Sequence, residues 1–165
     1  MTKGGTSPEL ISLLNKAIAR EIQVSIQYML QHAIWNATES VESVEKTSYK
    51  QSKFVGSHSP VWLPGVSLKK IAITEMRHAE AIAERVARLG GEPATQPDTI
   101  STGKTLKEIL EIDREQERKA IELYQQIINI AEIEHDDITL SMFKRILSDE
   151  ENHHRIFSSL LKEAV

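Results

Sequence analysis

Apolar side chains recur every three to four residues along four segments of the chain, and this period predicts four amphipathic α-helices. We label the predicted helices A, from residue 8 to about residue 35, B, 67–89, C, 104–132, and D, 137–162. No segment shows the strict alternation of apolar and polar residues that marks a half-buried strand. The pattern therefore predicts an all-α protein.

Capping and helix-breaking residues mark two of the predicted helix ends. Thr6 and Glu9 fit a capping box, and Pro8 suits the first turn of helix A because proline lacks the N–H that a first turn leaves unpaired. Helix B is expected to stop at Gly90 and Gly91, since glycine readily adopts the backbone conformation that ends a helix.

The connection between helices A and B is long and irregular. It covers residues 39–66, and the breakers within residues 57–65 predict a loop for at least its second half. Residues 41–53 either continue helix A or form a short separate helix. Residues 61–63 are apolar for a loop, so we expect them to be buried against the helices or against a neighbouring subunit.

Two other connections constrain how the helices are arranged. The joint at His135 and Asp136 is short, so helices C and D are predicted to be antiparallel neighbours. The stretch from Gly90 to Gly103 has 14 residues. When extended it reaches about 45 Å, which exceeds the length of helix B. It can cross the whole bundle, which predicts one ferritin-like four-helix-bundle domain over residues 1–165 with a single long B–C crossover.

Two copies of Glu-x-x-His lie inside predicted helices, with Glu75 and His78 on helix B and Glu150 and His153 on helix D. Side chains at positions i and i+3 project from the same side of a helix, about one turn apart. One such pair can grip a metal ion, and two facing pairs can grip two. Di-iron carboxylate bundles build their sites in this way and add one glutamate from each of the other two helices.

Helices A and C each carry a glutamate within an apolar stripe. These residues are Glu21 and Glu117, and antiparallel packing of helices C and D would bring Glu117 level with Glu150. For either glutamate alone, a solvated position at the edge of its stripe is the commoner arrangement. A buried carboxylate without a partner costs several kcal/mol, and a bound cation removes that cost. The two motifs, the two glutamates and the topology together favour a metal site, and Asp113 is expected to line its approach.

The composition narrows the chemistry further. The chain has 165 residues and a net charge of −4, without a basic stretch that would indicate a nucleic-acid partner. Cysteine is absent, which leaves histidine and carboxylates as the strong metal ligands. No apolar run approaches the length of a membrane span, and the N-terminus lacks a signal-peptide pattern, so we expect a cytoplasmic location without a membrane partner.

Two segments of the chain resemble bacterioferritin. The first, over residues 75–91, reads Glu-Met-Arg-His-Ala-Glu followed by Ile-x-x-Arg-x-x-x-Leu-x-Gly, and the second, over residues 146–153, reads Ile-Leu-Ser-Asp-Glu-Glu-Asn-His. The 33-residue step from Glu117 to Glu150 also matches, as does Tyr28, seven residues after Glu21. The resemblance extends over all four helices.

This resemblance implies a ferroxidase that stores or detoxifies iron by oxidising Fe(II) with O2 or H2O2. Tyr28 would lie beside the site as a candidate electron donor. Met76 stands where bacterioferritin binds haem across a two-fold axis, although a methionine on an amphipathic helix more often serves packing. The resemblance also implies a set of ligands to two iron ions per subunit: terminal Glu21 and Glu117, bridging Glu75 and Glu150, and His78 and His153, one on each iron.

The chain departs from bacterioferritin in three respects. It ends 15 residues after Glu150, so we expect no counterpart of that family's fifth helix. Its A–B connection is longer by about two dozen residues. Thr74 replaces an acidic residue, whereas Asp149 is retained and is expected to orient His78 across the bundle. His153 would then lack an equivalent partner.

The sequence leaves alternatives open for both the oligomeric state and the function. The lack of a fifth helix resembles Dps-like proteins with a bacterioferritin-type site in each subunit, although those often carry a cysteine pair. We expect a closed homo-oligomer, with twelve subunits favoured and a dimer as the alternative. The functional alternatives are a non-storing di-iron oxidase or oxygenase and a rubrerythrin-like peroxidase. Rubrerythrin carries a glutamate where this chain has Ala120, and it adds a Cys-x-x-Cys module that is absent here.

Overall fold

The structure, a computed structural model, describes residues 6–45 and 68–163, and the side chains of residues 6–34 and 68–162. Within these ranges the chain forms four helices and no strand: α1 (Pro8–Glu45), α2 (Leu68–Arg88), α3 (Leu106–Ile133) and α4 (Asp137–Glu163). The all-α class and the four-helix bundle are confirmed. Predicted helices B, C and D agree with α2, α3 and α4 to within two residues at each end.

Helix α1 is longer than predicted helix A. Its backbone stays helical to Glu45, because the sequence after residue 35 loses its apolar period but contains neither proline nor glycine before that point. Of the two alternatives for residues 41–53, continuation of helix A is therefore confirmed as far as residue 45, and the predicted A–B connection is helical before that point. Residues 46–67, including the apolar residues 61–63 that we expected to be buried, lie outside the described residues.

The capping residue of α1 is Ser7, so the predicted capping box at Thr6 was wrong. The Ser7 hydroxyl accepts a hydrogen bond from the Leu10 N–H at 3.1 Å. Pro8 is the first helical residue, which makes the residue directly before it the cap. The Ser7 N–H also donates to the Glu134 carboxylate at 3.2 Å and ties the start of α1 to the end of α3.

The connection from α2 to α3 runs along α1 to the opposite end of the bundle, as predicted. Thr105 and Glu108 then form the capping box that begins α3. As a result, α3 is antiparallel to α1 and parallel to α2. Three hydrogen bonds mark the course of the crossover: Ala94 N–H to Asn15 Oδ1 at 2.8 Å, Asp98 N–H to the Ala19 carbonyl at 3.1 Å, and Ser101 N–H to Gln27 Oε1 at 3.1 Å.

The joint between α3 and α4 is a tight turn held by side chains. His135 adopts a left-handed conformation with φ of 57°, and the Asp136 N–H donates to the Ala131 carbonyl at 2.8 Å. The Asp136 carboxylate accepts the Thr139 N–H at 3.1 Å and so caps α4. Arg85 of α2 donates to Asp136 at 2.6 Å and to the Thr139 hydroxyl at 2.8 Å, which anchors the joint to the bundle.

The core consists of two apolar clusters at different heights along the bundle. One cluster includes Leu14, Ile82 and Phe143, and the other includes Tyr28 and Phe157. Each helix passes from one cluster to the other, and the predicted metal ligands lie between them on all four helices. None of the helices in the described part of the chain is long and apolar enough to cross a membrane.

Candidate metal centre

All six predicted ligands converge in the middle of the bundle. The four glutamates are completely buried, and each histidine is 7% exposed. The six side chains form two overlapping groups, and Glu75 and Glu150 belong to both of them. A bridged pair of metal ions requires such shared ligands. Within each group the potential ligand atoms all lie within 4.8 Å of one another: Glu21, Glu75, His78 and Glu150 in the first, and Glu75, Glu117, Glu150 and His153 in the second.

Each histidine directs its Nδ1 atom at carboxylates from two helices. His78 Nδ1 lies 3.0 Å from Glu75 Oε2 and 3.1 Å from Glu150 Oε1. His153 Nδ1 lies 2.7 Å from Glu75 Oε1 and 3.3 Å from Glu150 Oε2. Despite these short distances, Glu75 Oε1 and Glu150 Oε1 receive no hydrogen bond of acceptable direction, and Glu21 Oε2 receives none either. Buried acceptors without donors are costly, and a cation placed among them would satisfy all three.

Burial and mutual repulsion shift the pKa values of the carboxyl groups. Burial raises the pKa of Glu21 and of Glu117 well above the usual range, and the charge of Glu150 adds to both shifts. Burial would also raise the pKa of Glu150, but the two histidines beside its carboxylate outweigh burial and hold that pKa well below the usual range. The cluster therefore concentrates negative charge on Glu150.

The same contacts keep both imidazoles protonated when no metal is bound. Burial alone would lower the pKa of each ring. The adjacent carboxylates of Glu150 and Glu75 outweigh burial and raise the pKa of His78 to about 11 and that of His153 to about 10.

We expect metal binding to release protons. At pH 7 both imidazoles must lose a proton before Nδ1 can bind a metal, because their pKa values of about 11 and about 10 lie well above that pH. Affinity should therefore rise with pH up to about 11, as the two competing protons are lost. Zn(II) calorimetry in buffers of different ionisation enthalpy should show about two or more protons released per pair of ions. Release near zero would contradict the assignment of these rings as ligands.

The two histidines differ in their outer contacts. His78 Nε2 lies 3.3 Å from Asp149 Oδ2, which is the contact expected from the sequence. The Thr74 hydroxyl donates to the carbonyl of Lys70 at 3.2 Å. In the described part of the chain, Nε2 of His153 has no partner. The ring of His78 is thus held from both sides and that of His153 from one.

Comparison with known proteins identifies the family. The family described as "Ferritin-like domain" matches residues 65–164. This chain belongs to the ferritin family. The bacterioferritin of Desulfovibrio desulfuricans is 34% identical over 153 residues, which cover 92% of this chain and 74% of the relative. The bacterioferritin of Streptomyces coelicolor is 29% identical over 147 residues, or 88% of this chain and 75% of that protein.

The fold of this ferritin is also similar to that of a bacterioferritin of known structure. The X-ray structure of Desulfovibrio desulfuricans bacterioferritin, described as showing the diiron site in different catalytic states, aligns with a TM-score of 0.73 at 33% identity. The alignment covers 93% of this chain and 78% of that chain. The resemblance to bacterioferritin drawn from the sequence motifs is confirmed.

Sequence reasoning missed two side chains, Tyr124 and Arg20, that contact Glu21 or Glu117. The Tyr28 hydroxyl, which was expected near the site, donates to Glu117. The Tyr124 hydroxyl donates to Glu21. Arg20 was overlooked, and it lies 3.3 Å from Glu21 Oε1 and 3.1 Å from Glu117 Oε2.

A buried polar line on α1 was also missed. Gln27 and Gln31 donate their amides to Asp113 Oδ1 at 3.0 Å and 2.9 Å. Asp113 is completely buried, and burial raises its pKa to about 7 despite these two bonds. The available signal was the spacing of Arg20, Gln23, Gln27 and Gln31, which places four polar residues three to four positions apart on one side of the helix.

Met76 lies away from the metal ligands, on the surface of α2. Its side chain is 55% exposed. Other large apolar side chains of α1 and α2 also remain exposed: Ile26, Leu30, Ile34 and Ile73.

Proposed function

We propose that this ferritin binds two iron ions among its six buried ligands and oxidises Fe(II), as part of iron storage or detoxification. The pair of overlapping ligand groups, with four carboxylates and two imidazoles on four helices, carries this proposal. Carboxylate oxygens are hard donors that suit Fe(III), and imidazole suits Fe(II). The buried oxygens on Glu21, Glu75 and Glu150 that receive no hydrogen bond fit a cation between them. Bound Fe(II) supplies the electrons that reduce O2 or H2O2.

The buried side chains have different roles in binding and oxidising iron. The complete burial of the four glutamates excludes bulk water from the site, which strengthens each charge interaction within it. The raised pKa of Tyr28 keeps its hydroxyl protonated, so it can orient Glu117 and remain beside the site as a candidate electron donor. The proposed ligand roles are as follows: Glu21 and His78 hold one ion, Glu117 and His153 hold the other, and Glu75 and Glu150 bridge the two.

Anaerobic titration of the metal-free protein with Fe(II) tests this proposal. We expect saturation at two ions per chain, one for each ligand group. Separate addition of O2 and H2O2 then identifies the oxidant by the rate of ferric absorbance. An absence of saturable binding, or oxidation no faster than in buffer alone, would contradict the proposal.

Iron storage also needs an enclosed cavity, so we infer that the chain forms a closed homo-oligomer. Exposed apolar side chains on α1 and α2 support self-association, because such surface is commonly covered by a partner. Twelve subunits remains the favoured prediction, with a dimer as the alternative. Light scattering that gives a dimer of roughly 37 kDa, with only two irons retained per chain, would favour the non-storing oxidase.

Haem binding by Met76 also stays a prediction. The exposure of this side chain leaves its thioether sulfur accessible to a group bound at the surface. Absorption spectra recorded during addition of haem to the protein and to its Met76→Leu variant would test it.

A further inference from the structure

Arg20 places a buried positive charge against both terminal glutamates. The residue is 5% exposed, and its guanidinium bridges Glu21 on its own helix and Glu117 on α3. Its Nε and Nη2 atoms donate to the carbonyl of Gln116 at 3.3 Å and 2.9 Å. Its Nη1 atom donates to the Tyr124 hydroxyl at 3.4 Å, and the guanidinium lies 5.8 Å from the centre of that ring. These contacts hold the charge in place beside the cluster.

The contacts of Glu117 put this arginine in direct competition with a metal ion. Tyr28 donates to one carboxylate oxygen of Glu117 and Arg20 to the other, so both oxygens are engaged. An ion that takes Glu117 as a ligand must share or displace one of these donors. On Glu21 the arrangement differs, because Arg20 and Tyr124 both contact Oε1 and leave Oε2 without a donor.

The positive charge on Arg20 is permanent, unlike the positive charges on the protonated histidines. A guanidinium does not lose its proton in a protein, whereas an imidazolium must lose its proton before the ring can bind a metal. The charge of Arg20 therefore offsets the buried carboxylates when the site is empty. It remains and repels the metal ions when the site is full.

We propose that Arg20 is a built-in counter-cation for the metal-free site, stabilising the empty carboxylate cluster and weakening its hold on iron. This inference rests on the proposed function, since it assigns the cluster to iron. The consequence is that the site can be emptied and filled repeatedly. A bundle that remains stable when the site is empty can release its metal ions and bind others.

Thermodynamic linkage gives this proposal a signature that a purely structural role lacks. If Arg20 stabilises the empty state more than the loaded state, removing it must tighten metal binding by the same factor. Loss of Arg20 would therefore lower the stability of the metal-free protein and enlarge the stabilisation that a metal provides. A side chain that only packs the core would lower stability equally with and without metal.

The experiment compares wild-type protein with Arg20→Met, which keeps most of the side-chain volume and removes the charge. Melting temperatures are measured with and without saturating Zn(II), and the dissociation constant for Zn(II) is measured by titration of the full chain. We expect the metal-free variant to melt about 5 °C lower. We also expect a larger rise on adding Zn(II) and a dissociation constant tighter on the order of tenfold. Zn(II) should leave the wild-type protein faster than the variant when a chelator is added.

Arg118→Met is the matched control, because Arg118 is an exposed arginine on α3 whose partners are Glu115 and Glu122. It should leave the Zn(II) dissociation constant unchanged. If Arg20→Met does not fold, Arg20→Gln repeats the test, since its amide can still donate to Gln116 while the charge is lost. An equal or smaller metal-induced rise in melting temperature would overturn the proposal if wild-type protein binds two ions. Failure of wild-type protein to bind two ions would instead overturn the proposed function.

Discussion

Replacement of Glu150 by alanine is expected to slow Fe(II) oxidation by about a hundredfold or more while leaving the four helices intact. Glu150 belongs to both ligand groups, and the Nδ1 atoms of both histidines lie close to its carboxylate. Its loss removes a proposed ligand from each ion at once. Alanine has the highest helix propensity, and the change also removes a buried charge, so α4 should persist.

Stopped-flow absorbance after mixing Fe(II)-loaded protein with oxidant measures the rate, and circular dichroism measures helix content. Glu151→Ala is the matched control, because Glu151 is the next residue of α4 and is exposed. It should oxidise iron at the wild-type rate. A wild-type rate in Glu150→Ala would exclude a mechanism in which this residue bridges two ions.

Replacement of Phe143 by alanine is expected to lower the free energy of unfolding by about 3–5 kcal/mol. Phe143 is completely buried in the apolar cluster that also contains Leu14 and Ile82, and its ring packs against that of Tyr124 in a T-shaped arrangement with centroids 5.2 Å apart. Truncation leaves a cavity and removes this aromatic contact. Because Phe143 contributes no ligand atom, Fe(II) binding should still saturate at two ions per chain in the folded variant.

Thermal and denaturant unfolding of the metal-free proteins measures this effect, and a fall in melting temperature of about 10 °C is expected. Ile138→Ala provides the control on the same helix, since Ile138 is 66% exposed. That change should alter stability by less than about 0.5 kcal/mol. Equal stability changes in the two variants would contradict the assignment of the core.

The sequence predicts three of the four helices closely because their apolar stripes end at identifiable signals. Helix α2 ends just before Gly90 and Gly91, and the short joint at His135 separates α3 from α4. The C-terminal part of α1 was harder to predict, since backbone hydrogen bonds can extend a helix where no apolar stripe marks it. The cap of α1 was misplaced by one residue because Thr6 and Ser7 are both suitable capping residues, and only the position of Pro8 decides between them.

The candidate ligands could be predicted for a different reason. Glu21 and Glu117 lie within apolar stripes, where an unpartnered carboxylate would be costly, and the two Glu-x-x-His pairs supply the complementary ligands. Arg20 and Tyr124 could not be predicted in the same way. Their contacts join α1 to α3, and such contacts depend on the relative rotation and height of two helices, which the pattern on one helix does not specify.

Anomalous diffraction from crystals of this protein loaded with Fe(II), recorded at the iron absorption edge, tests the central claim most directly. The account predicts two iron peaks per chain, about 3.5–4 Å apart and surrounded by the six side chains. A single peak, peaks elsewhere in the chain, or any of Glu21, Glu75, Glu117 and Glu150 turned to solvent with metal bound would contradict it.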